Sequence, residues 1–161
     1  MKMKDSDKVL IDTSSWIEFF RKKALHHKAI IELIDSRRIC CAGIVLAELI
    51  QGAKSQKELE VLKEFPYVFD FLHDSTEMWK KAGELSFLLR QKGETVGLAD
   101  CYISVVASSN NVKLLTPDKH FDIIKKVIDL NLYVVGKREH ESLKTEKICS
   151  SNAARRFTQE V

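Results

Sequence analysis

Val9, Leu10 and Ile11 form an unbroken apolar triplet, the mark of a strand buried on both faces. The spacing then changes. From Ser14 to about Lys22, Trp16, Ile17, Phe19 and Phe20 recur at helical intervals. A second helical pattern covers 25–35, and a short strand covers 38–42. Residues 44–52 (IVLAELIQG) read as a helix apolar almost all round, which predicts burial. An exposed helix over 56–64 ends before Pro66, and 67–71 reads as a third strand. His73-Asp74-Ser75 offers capping side chains for a long amphipathic helix over 76–91, stopped by Gly93. Residues 97–109 form another apolar helix, and 112–115 a fourth strand. Thr116-Pro117-Asp118 reads as a helix start, with a hydroxyl, a proline and an acid in order, and the helix runs to about residue 127. Residues 132–135 are the fifth strand. Strands alternating with helices predict an α/β fold built on a parallel, about five-stranded sheet covered on both faces.

Length fits this picture. At 161 residues the chain accommodates one core. Residues 1–135 carry the pattern, whereas 136–161 are polar with few large apolar side chains, which predicts a poorly ordered tail. No apolar run approaches a membrane span, and the start MKMKDSDK has no apolar stretch after its charges, so a cytoplasmic protein is expected. The net charge of +3 is mild, and two units of it lie in the tail. A domain that grips nucleic acid by bulk charge would be more basic. The four cysteines form no C-x-x-C pair. Cys40 and Cys41 are adjacent in a strand, Cys101 lies in a helix and Cys149 in the tail, so buried thiols are expected rather than disulfides or a zinc site.

The acids carry the chemistry. Ligand sites of open α/β sheets lie beyond the carboxyl ends of the strands. Asp12 ends the first strand, Glu48 lies early in the helix after the second, and Asp118 follows the fourth. Asp100 begins the helix that leads into the fourth strand, and that helix runs antiparallel to the sheet, so its start lies at the same edge. Each acid alone has a structural explanation as a cap, an exposed stripe or a partner of a helix dipole. Four together repel one another and require a counter-charge. Hard oxygen ligands without Cys or His suit Mg²⁺ or Mn²⁺. Such a site typically supports metal-assisted phosphoryl chemistry.

The segments VLIDTSSWIEFF, GIVLAELIQGA, KGETVGLADCYISVVA and LLTPDKHFD together resemble the signature segments of PIN-domain ribonucleases, most closely the VapC-type toxins of toxin–antitoxin pairs. The resemblance covers about residues 8–135. It implies a three-layer α/β/α sandwich and Mg²⁺- or Mn²⁺-dependent endonucleolytic cleavage of RNA. The family's acids match Asp12, Glu48, Asp100 and Asp118. The resemblance gives Asp12 and Asp100 the most direct metal contacts, and has Glu48 complete the metal site and help orient the attacking water. It makes Asp118 a ligand or a supporting group. Ser14 and Thr116 match polar positions that bind metal water or phosphate. The resemblance further implies a homodimer and a small antitoxin whose C-terminal segment covers the cleft. It carries nothing onto the tail.

Other classes fit less well. A haloacid-type phosphatase needs a second Asp where this chain has Ser14, and a phospho-receiver domain needs an acidic pair after the first strand. No Gly-rich phosphate loop is present. The main alternative is a non-catalytic PIN-fold scaffold or RNA-binding protein, against which stands the retention of all four acids. Arg90, Lys92, Lys119 and His120 are candidates for RNA contact, each more simply read as a solvated helix end. Trp16, Phe19 and Phe20 are expected in the core, and His26 and His27 on the surface.

Overall fold

The computed structural model describes residues 7–136, so the tail from 137 onward lies outside the described residues. The chain runs β1 (Val9–Ile11), α1 (Thr13–Phe20), α2 (Ala24–Asp35), β2 (Ile39–Cys41), α3 (Gly43–Gln51), α4 (Gln56–Lys63), α5 (Phe65–Val68), β3 (Asp70–Phe71), α6 (Thr76–Gln91), α7 (Leu98–Ser109), β4 (Lys113–Leu115) and α8 (His120–Ile124). The sheet has the order β3-β2-β1-β4, and all three pairings are parallel. Val9 pairs with Ile39 on one side and Lys113 on the other. Val9, Leu10 and Ile11 have no solvent exposure, because helices cover both faces of the sheet. This is an α/β/α sandwich.

The fifth strand is reduced to one parallel bridge, Leu114 to Leu132. The amide of Leu114 donates to the carbonyl of Asn131, and the amide of Tyr133 to that of Leu114, both at 2.8 Å. The segment thus extends the sheet beyond β4 without forming a ladder.

Three elements differ from expectation. Pro66 opens a helix instead of ending one: it sits in the first turn of α5, where its fixed φ suits the helix and its missing N–H is not needed. The predicted strand at 67–71 therefore shrinks to Asp70–Phe71. The helix expected from Thr116 begins only at His120. Thr116–Asp118 is a side-chain-stabilised turn, in which the Asp118 amide donates to Thr116 Oγ1 at 3.0 Å. Finally, α3 is only half-buried. Val45 and Leu49 are in the core, Ile44, Leu46 and Ile50 are partly covered, and Ala47 is exposed. Its apolar composition overstated its burial.

The core runs across both sheet faces. Seven consecutive residues of α7, Cys101 to Ala107, are buried, so this helix is enclosed by its neighbours on all sides. Trp16 is fully buried and its ring meets those of Phe65 and Phe69 at centroid distances of 5.0 and 5.5 Å. Phe19 is buried with it, as the helical spacing predicted. Gly93 takes φ +81°, the left-handed geometry that closes α6, and the Glu94 amide returns to the Leu89 carbonyl at 3.0 Å. Cys40, Cys41 and Cys101 are buried thiols.

Candidate active site

The carboxyl edge of β1 and β4 is where the acids gather. The Asp12 amide donates to the Leu115 carbonyl at 3.0 Å, tying the end of β1 to the end of β4. Ser15 Oγ donates to the same carbonyl at 3.0 Å from inside the core. Asp12 takes the cap position of α1, directly before Thr13, yet its side chain does not cap the helix. Its Oδ2 accepts instead from the Ser14 hydroxyl and, at 3.0 Å, from Thr116 Oγ1. Asp12 is 4% exposed. Burial pushes its carboxyl above the ordinary value, and the hydroxyls of Ser14 and Thr116 and the amides of Thr13 and Ser14 oppose that shift only in part.

Asp100 enters from the first turn of α7, with Gly97 at the helix cap. Its carboxyl is also pushed up, first by burial and then by the charges of Asp12 and Asp118, with His120 pulling the other way. Three carboxylates from distant parts of the chain therefore share one field. Asp118 is held by the turn that begins at Thr116. Its Oδ1 accepts from the His120 amide at 2.9 Å, an Asx-turn geometry. Thr116 is the hinge of this arrangement, since its hydroxyl donates to Asp12 and accepts from Asp118.

Glu48 reaches the site by a separate link. It projects from α3, and its Oε2 accepts from Thr13 Oγ1 at 2.5 Å, the residue next to Asp12. Among the described residues, the group of metal-binding side chains with ligand atoms mutually within 4.8 Å is Asp100, Asp118 and His120. Asp12 acts on that group through its charge on Asp100, and Glu48 is tied to Thr13 beside Asp12.

Thr13 is the site residue that the sequence reading missed, and His120, expected only as a candidate for RNA contact, lies with the acids. Thr13 carries no periodic signal of its own. His120 had one: an acid after proline in a turn draws the amide two residues on, which brings the ring of that residue back to the acid. Of the remaining candidates, Arg90 and Lys92 lie exposed at the end of α6. His26 contacts Glu18 at 2.7 Å, and His27 stacks on Phe19, so both are partly buried and not plain surface residues.

A buried carboxylate with raised proton affinity beside two more is chemically unbalanced at neutral pH. Its donor set, hard oxygens plus one imidazole, fits a divalent cation. Asp12, Asp100, Asp118 and His120 are the groups that could hold one.

Comparison with known proteins agrees with this geometry. Ribonuclease VapC1 of Methanocaldococcus jannaschii is 29% identical over 124 residues, covering 76% of this chain and 85% of that protein. Ribonuclease VapC11 of Mycobacterium tuberculosis is 27% identical over 128 residues, covering 76% and 95%. Among solved structures, DNA-bound VapBC from Salmonella typhimurium superimposes with a TM-score of 0.64 at 28% identity, covering 78% of this chain and 96% of the other. The PIN domain itself matches residues 9–127, from β1 through α8 and so across all four acids. The chain belongs to the PIN domain family.

Proposed function

We propose that this protein is a Mg²⁺- or Mn²⁺-dependent endoribonuclease and the toxin of a toxin–antitoxin pair. The observation that carries the reading is the convergence of Asp12, Asp100 and Asp118 from three distant segments, with burial raising Asp12, and burial together with the charges of Asp12 and Asp118 raising Asp100. The relatives named as VapC ribonucleases and the likeness to a VapBC complex support the substrate and the partner.

The roles follow from placement. Asp12 and Asp100 hold the cation, and Asp118 completes or supports that hold. Ser14 and Thr116 fix the rotamer of Asp12. Thr13 fixes Glu48, which orients the attacking water and accepts its proton. A bound Mg²⁺ or Mn²⁺ supplies a water of lowered pKa and neutralises charge on the phosphate. No side chain forms a covalent intermediate, and water displaces the leaving oxygen directly. Residues 1–135 form the nuclease domain of this reading, followed by the polar tail 136–161. The working form is a cytoplasmic homodimer, neutralised by a small antitoxin laid over the cleft. Among the described residues no helix is long and apolar enough to cross a membrane.

The test is cleavage of a structured RNA pool by purified protein with Mg²⁺, with Mn²⁺ and with chelator, beside an Asp100→Asn sample prepared identically. Metal-dependent cuts absent from the variant support the nuclease. An absence of both cuts and metal binding would replace it with a PIN-fold scaffold.

A further inference from the structure

We propose that His120 is a direct ligand of the cation held by Asp100 and Asp118, which makes this side of the site a two-oxygen, one-nitrogen set that prefers Mn²⁺ to Mg²⁺. The inference rests on the metal-dependent reading above and adds to it a ligand type and a choice of metal.

The geometry argues for coordination over a simple hydrogen bond. His120 Nδ1 lies 3.4 Å from Asp100 Oδ2 and 3.4 Å from Asp118 Oδ1. A committed hydrogen bond would be shorter, about 2.7–3.2 Å, and would favour one acceptor. Two equal, longer contacts aim the nitrogen between the carboxylates. With metal–ligand bonds of about 2.0–2.2 Å, neighbouring ligand atoms of an octahedral or tetrahedral ion stand about 3.0–3.5 Å apart. The nitrogen already has that spacing from both oxygens, and the ligand atoms of the three side chains lie within 4.8 Å of one another.

The ring is also held in place. The His120 amide is bound to Asp118 Oδ1, and the next residue, Phe121, is fully buried. The side chain is 48% exposed, so a hydrated ion can reach it. Asp118 is therefore both a ligand and the group that positions its co-ligand. An imidazole nitrogen raises affinity for first-row transition metals far more than for Mg²⁺, which prefers oxygen. The sequence presents hard acids alone and so hides this preference, because the histidine enters from the turn.

The experiment is calorimetric titration of Mn²⁺ and of Mg²⁺ into the metal-free full-length protein, His120→Ala and Asp100→Asn. Pulsed electron paramagnetic resonance of the Mn²⁺-loaded wild type completes it and does not depend on any variant folding. The expected result is Mn²⁺ binding about tenfold or more tighter than Mg²⁺ in the wild type. His120→Ala should weaken Mn²⁺ by about 10–100-fold and Mg²⁺ by less than about threefold. A directly bonded nitrogen should couple to the Mn²⁺ electron spin in the wild type. Undiminished Mn²⁺ affinity in His120→Ala, or Mn²⁺ binding without nitrogen coupling, overturns the proposal, while loss of binding in Asp100→Asn would keep the metal site itself. A wild type that binds neither ion overturns both the proposal and the metal-dependent reading.

Discussion

Asp12 is the most constrained carboxylate in the protein, buried at the junction of two strands and a helix with one oxygen already taken by two hydroxyls. Asp12→Asn and Asp100→Asn each keep the shape and remove a charge. Each is expected to lower RNA cleavage by at least about 100-fold, measured under single-turnover conditions. Stability should move the other way. Both carboxyls titrate above the ordinary 3.8, so the folded state binds these protons more tightly than the unfolded chain. Their contribution is complete below 3.8 and is lost as pH rises through the raised values. In metal-free protein, either substitution should therefore flatten the loss of stability above about pH 4. It should also raise the neutral-pH Tm by on the order of 2–4 °C, read by thermal melts across pH. Thr116→Val tests the hinge. It should leave the fold intact and slow cleavage about tenfold or more, because Asp12 and Asp118 lose a shared partner. At this scale the acids were legible because strand ends and helix starts can be placed from periodicity. Thr13 was not, and His120 was legible only as a candidate for RNA contact, because hydroxyl donors and turn-directed rings have no period.

Among the elements, β1, β2, β4 and the long helices followed their apolar spacing closely, and α7 is capped by Gly97 as its sequence suggested. The failures came where one residue type serves two ends of a helix. Pro66 fits both the stop of α4 and the first turn of α5, and the packing of Phe65 and Phe69 onto Trp16 settles it as the latter. Pro117 shows the converse, since the turn held by Thr116 and Asp118 side chains delays α8 until His120. The apolar face of α3 misled because composition cannot say which neighbours arrive to cover it. The shared aromatic cluster makes a quantitative expectation for α1. Trp16→Ala should destabilise the fold by about 3–5 kcal/mol in urea unfolding. It should also impair cleavage beyond its effect on stability, because Asp12 and Thr13 sit one turn away on the same helix start.

At the scale of the molecule, the sheet brings together what the sequence keeps apart. The order β3-β2-β1-β4 places the chain's first strand beside its last full one, and every site residue hangs from that pairing or from α3 and α7 beside it. Cation binding should be visible as bulk stability: at about 100 times the dissociation constant, saturation adds about 2.7 kcal/mol, seen as a rise in Tm that chelator reverses. A chain ending at Gly136 should cleave RNA within about twofold of the full-length rate, and a larger loss would draw the tail into the mechanism. The pairing of β1 with β4 has a further consequence for synthesis. Asp12 is made early, but its backbone partner Leu115 and its side-chain partner Thr116 follow a hundred residues later. A nascent chain, or one broken off before residue 113, lacks both the strand that seats Asp12 and the last acid. The cleavage proposed here therefore switches on only when translation of the domain is nearly finished.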